Sequence, residues 1–146
     1  MHDSHQKAAE FHNRAAHSHR LAAERHGKQD HQTGHELSRQ ALEHSNHAYE
    51  TAQAAHQTGP HRTEAIETKV EEESIMSNET HTTAAYHHER AAKSHRAAAQ
   101  QSNTGAHDAS QQHAAEALEH SKKAHEASGL AHHESAQHVT AAVLTK

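Results

Sequence analysis

Cysteine and tryptophan are missing from this 146-residue chain, aromatic residues make up 2% of it, and it has one proline. The lack of cysteine excludes disulfides and thiolate metal sites. No apolar run approaches the length of a membrane span, and Met1-His2-Asp3-Ser4-His5 carries no apolar segment of the signal-peptide kind, so a cytoplasmic protein is expected. Charge of one sign is also scarce. The 14 Lys and Arg stand against 19 Asp and Glu, a formal net charge of −5, and the basic residues are scattered, which removes nucleic-acid binding as a class. Large apolar side chains are few as well: of 46 apolar residues 30 are alanine, leaving 16 larger ones for a thin core.

What is abundant is histidine, at 23 residues. Imidazole is the commonest metal ligand and the side chain that titrates nearest neutral pH. Its placement is periodic. In "AAEFHNRAAHSHRLAAERHG", residues 8–27, a pair of alanines and a histidine recur every seven residues, and His5, His12, His19 and His26 mark the beat. With these histidines at heptad position a, Ala15 and Ala16 fall at d and e, while b, c and f collect polar residues such as Lys7, Asn13, Arg14 and Glu24. The histidines therefore share the alanine stripe, which is the buried one.

Shifting the chain by 76 residues aligns His5–Thr58 with His81–Glu134 without a gap, and 22 of the 54 pairs are identical. The chain is an internal duplication. Each half divides once, at Gly27-Lys28-Gln29-Asp30 and at Ser102-Asn103-Thr104-Gly105, and so reads as two antiparallel helices of about 22 to 28 residues. Thr33-Gly34-His35-Glu36 has capping-box spacing for the restart, and Asp30 could cap equally well. The expected fold is all-α: an antiparallel four-helix bundle of two duplicated hairpins. Residues 1–58 form the first hairpin, 59–79 an acidic connector containing "TKVEEES" with a short helix around Thr63–Ser74, and 80–146 the second, together one domain.

Six histidine pairs coincide between the copies: His5/His81, His12/His88, His19/His95, His31/His107, His44/His120 and His56/His132. Independent placement at this density would give about one or two. These twelve are the candidate metal ligands. Neighbours on one beat are about 10.5 Å apart along the axis, too far to share an ion, so partners must come from other helices. In a hairpin folded around residues 27–30, His12 lies level with His44 and Ser45, and His88 with His120. A pseudo-twofold bundle then holds His12, His44, His88 and His120 in one layer. His5, His56, His81 and His132 form a looser second layer. His19 and His95 find Ser38 and Ala114 at their expected heights, His31 and His107 sit near the turns, and His31 and His35 are four apart, the spacing that lets one helix chelate an ion.

Imidazole suits copper and zinc, then nickel and cobalt, whereas Mg²⁺ and Ca²⁺ need oxygen cages that the chain does not supply. Enzyme signatures fail: His133-Glu134-Ser135-Ala136-Gln137-His138 is one residue too long for HExxH, and no histidine has a Glu three residues before it. An alanine core also offers little wall for a haem. The heptads, as in "AAYHHERAAKSHR", resemble a scattered set of small bacterial Ala/His-rich helical proteins, mostly uncharacterised, and the architecture is similar to that of four-helix-bundle copper storage proteins, which use cysteine. The expected function is non-enzymatic storage or sequestration of transition-metal ions. The alternatives are a stress-protective helical protein of the desiccation type, which the mean hydropathy of −1.16 also fits, and a self-association module. The hairpins pair within one chain or swap between the two copies of a homodimer.

Overall fold

In a computed structural model, which describes residues 2–57 and 77–144, the chain forms α1 (His2–Gly27), α2 (His31–Gln57), α3 (Ser77–Asn103) and α4 (His107–Leu144). The helices make a square bundle. α1 packs on α2 and α3, and α4 packs on α3 and α2, so α1 and α4 are diagonal neighbours. No described helix is long and apolar enough to cross a membrane. The short connector helix around Thr63–Ser74 lies outside the described residues, and α3 begins at Ser77, two residues earlier than the expected connector end.

Two tight turns close the hairpins. In the first, Asp30 N–H donates to Arg25 O at 3.0 Å and Gln29 takes the left-handed conformation at φ 60; in the second, Ala106 N–H donates to Gln101 O at 3.0 Å and Gly105 is left-handed at φ 77. Both are Schellman closures, in which the residue after the helix reverses hand so that orphan carbonyls find donors. Of the two expected caps for α2, Asp30 is used: its carboxylate accepts from Thr33 N–H at 3.3 Å. This satisfies one of the first-turn amides and places negative charge at the positive end of the helix dipole.

Three helices have the expected length, but α4 runs for 38 residues. The second copy has Ser135-Ala136 at the positions that align with Gly59-Pro60, so no proline interrupts α4 there. The added turns carry Ser135 and His138.

Among the described residues, every fully buried apolar side chain is an alanine, including Ala8, Ala15 and Ala22 of α1 and Ala84, Ala91 and Ala98 of α3. Methyl-sized side chains let helix axes approach closely but bury little area each. The space left along the axis is filled by imidazoles and hydroxyls: His12, His19, His81, His88, His95, Ser38, Ser45, Ser121, Ser128 and Ser135 are the largest fully buried side chains. Ion pairs such as Arg39–Glu36 and Lys123–Glu119 lie on the surface, where each contributes under about 1 kcal/mol.

Candidate functional site

The heptad places the α1 and α3 histidines on facing inner stripes, and the antiparallel packing of these helices fixes who meets whom. His12 Nδ1 lies 2.8 Å from His88 Nδ1, His19 Nδ1 lies 3.0 Å from His81 Nδ1, and His5 Nδ1 lies 3.1 Å from His95 Nδ1. The rungs obey the duplication. His12 meets its own counterpart, while His5–His95 and His81–His19 exchange under the same operation, so a pseudo-twofold axis passes through the central rung. At the turn end His26 Nδ1 meets His31 Nδ1 at 3.2 Å. Successive rungs touch face to face: His12 stacks on His95, His19 on His88 and His26 on His81, with ring centroids 5.5, 5.6 and 5.3 Å apart. The result is one column of rings along the bundle axis.

The other ring nitrogens point at α4. Ser121 Oγ lies 2.7 Å from His12 Nε2 and 3.3 Å from His95 Nε2. Ser128 Oγ lies 2.7 Å from His19 Nε2 and 2.9 Å from His88 Nε2. Ser135, from the extended part of α4, sits 2.7 Å from His26 Nε2 and 2.9 Å from His81 Nε2. Each serine thus joins two imidazoles, and the His12–His88 and His19–His81 pairs each join two serines. Ser121 Oγ–H also donates to Ala117 O at 2.6 Å, and Ser128 Oγ–H to Ala124 O at 2.7 Å. The facing serines of α2 differ. Ser38 and Ser45 are buried with no hydrogen-bond partner for their hydroxyls.

Burial keeps these rings uncharged. It pushes His12, His19 and His81 down to about 3 and His95 to about 2, and it holds His88 well below 6.5. Loss of water penalises the imidazolium, and at His81, His88 and His95 neighbouring rings add repulsion. His26 is lowered too, first by burial and then by His31 and His138.

The expected four-imidazole layer does not assemble. His12 and His88 meet at the axis, but His44 and His120 are half-buried on the outer flanks, lowered first by burial and then by the guanidinium charges of Arg14 and Arg90. Ser45 and Ser121 hold the inner positions instead. Height was right and rotation was wrong: one residue turns a helical side chain by about 100°, so the neighbour of a facing residue does not face. The second layer also separates. His5 and His81 join different rungs, His56 is half-buried on α2, and His132 is half-buried and stacks on His35 at 5.0 Å. His31 and His35 do not share a point, since His31 turns to His26 and His138. His107 is exposed at the start of α4. His19 and His95, which lack level imidazoles on α2 and α4, find them across the α1–α3 face. The serine beat at 121, 128 and 135 was readable as a seven-residue repeat, yet serine alone in a helix rarely signals a core. Among the described residues, no three His, Asp or Glu side chains converge on one ion-sized point.

No family model, curated protein or solved structure matches this chain.

Proposed function

We propose that the protein is a non-enzymatic binder of transition-metal ions, which it sequesters between paired imidazoles in its core. The observation that carries the reading is the repeated meeting of Nδ1 atoms from α1 and α3, 2.8 to 3.1 Å apart in a water-poor interior. Ligating histidine must be neutral, and burial already keeps these rings so at neutral pH. Imidazole nitrogens select copper and zinc, with nickel and cobalt behind them. With metal–nitrogen bonds of about 2.0 Å, two nitrogens facing along one line must part by about 1 Å to admit an ion. Alanine contacts between α1 and α3 leave that adjustment to a small shift of helix axes rather than to repacking of large side chains.

A bound ion cross-links the two helices, so affinity appears as stability. At an ion concentration about 100-fold above Kd the gain is about 2.7 kcal/mol, which raises Tm by roughly 5–10 °C for a chain of this size. Thermal unfolding of untagged protein, followed by circular dichroism with copper, zinc, nickel or cobalt, measures this directly. His12→Ala/His88→Ala should lose the share of the shift that the central pair supplies, about a third if the three pairs bind alike. A Tm that no ion moves would overturn the reading.

A further inference from the structure

The direction of the serine hydrogen bonds determines what the central rung can hold. Ser121 and Ser128 each donate their single hydroxyl proton to the carbonyl four residues back, Ala117 O and Ala124 O. Neither then has a proton left for an imidazole, so the ring nitrogens against it must be the donors. His12 and His95 give their Nε2–H to Ser121, and His19 and His88 give theirs to Ser128. A neutral imidazole carries one proton. His12 and His88 are thereby left with bare Nδ1 lone pairs aimed at each other across 2.8 Å. That arrangement calls for a cation between them.

We infer that the His12–His88 rung is a two-coordinate site for a monovalent soft cation of the copper(I) and silver(I) class, with His5–His95 and His19–His81 as flanking copies. The inference rests on the metal-binding reading above and narrows it to one ion class. Three further observations support it. Two opposed nitrogens with no third ligand among the described residues match the linear geometry of a d¹⁰ monovalent ion, whereas zinc takes four ligands. Among the described residues the buried polar side chains of the core are His, Ser and Thr with no carboxylate, so none of them offsets the charge of the ion. Desolvation rises with the square of that charge, and a divalent ion costs about four times as much. The rungs follow one another at about 10.5 Å, and repulsion between ions in neighbouring rungs is also about four times weaker for single charges. The serines act as positioning residues: they fix Nε2–H and turn Nδ1 toward the ion, the part that carboxylates or carbonyls play behind other histidine ligands.

Anaerobic titration with copper(I) in acetonitrile and with silver nitrate, read against a competing chelator, should show three equivalents taken up. Fluorescence-free absorption spectroscopy at the metal edge should report two nitrogen neighbours. In ¹⁵N spectra of the wild-type protein loaded with silver, His12 and His88 should both carry the proton on Nε2 and show scalar coupling of Nδ1 to silver. Ser121→Ala/Ser128→Ala should weaken binding by about 10- to 100-fold, while Ser45→Ala leaves it unchanged. Coupling through Nε2, or a four-nitrogen neighbourhood, would overturn the inference. So would failure to take up silver and copper(I) while zinc or copper(II) still raises Tm, and that result leaves the broader metal-binding reading standing. If no ion of either charge binds, both fall.

Discussion

A buried hydroxyl is either an asset or a cost, and this core contains both kinds. Ser128 lies against two imidazoles and the Ala124 carbonyl, while Ser45 is equally buried with its hydroxyl unpaired. Removing Ser128 strands the Nε2 atoms of His19 and His88, so Ser128→Ala should cost about 1–3 kcal/mol, whereas Ser45→Ala removes an unsatisfied group and should be neutral or stabilising by about 1 kcal/mol. Urea unfolding of the two variants compares them under one protocol. Equal losses would show that the network as described does not govern stability. Gly34 is a third residue-scale constraint. A Cβ there would stand 2.8 Å from His26 Nε2, so Gly34→Ala must push the ring away from His31 and Ser135. It should lower stability by 1 kcal/mol or more at about the scale of an overpacked core, measurable as a drop in Tm.

At the scale of the element, the turns and the helix ends carry the information. Gln29 holds a left-handed backbone that disfavours every residue with a Cβ, and the matching turn uses Gly105. Gln29→Gly should therefore stabilise the chain, by about 0.5–1 kcal/mol after the greater freedom of glycine in the unfolded state is counted. Denaturant midpoints of the single variant decide it. The α4 extension works the other way. Substituting Ser135-Ala136 for Gly-Pro ran the helix past the duplicated segment and added Ser135, which joins His26 to His81. The periodic part of each helix was legible because a heptad of Ala and His allows one buried stripe. The length of α4 was legible only by reading what each copy has in place of Gly59-Pro60.

For the whole molecule the dominant expectation is acid unfolding. Five core imidazoles, His12, His19, His81, His88 and His95, are neutral in the fold far below 6.5 but take up protons near 6.5 once unfolded. The unfolded chain then binds more protons, so stability is full above about pH 6.5 and falls as pH drops toward 3, the interval between the two pKa values. One unit below 6.5 each ring costs about 1.4 kcal/mol, or about 7 kcal/mol for the five, which equals the whole stability of many domains. Helix content should collapse cooperatively between about pH 5 and 6 with uptake of about five protons. A circular-dichroism signal unchanged down to about pH 4 would contradict this. Bound metal should move the midpoint to lower pH, because imidazoles that hold an ion resist protonation.

By itself the sequence determined the class of fold, the duplication, the buried face and the presence of inward histidines on α1 and α3, since periodicity is a property of the chain and survives any choice of packing. Tertiary structure alone decided which imidazoles meet. Alanine stripes are interchangeable, so nothing in their composition states that α1 lies antiparallel to α3 and diagonal to α4, and a single-residue error in facing exchanges His44 for Ser45 and His120 for Ser121. The pairing of His12 with His88, and the serines that orient both rings, depend on distances between helices that no spacing along one helix contains.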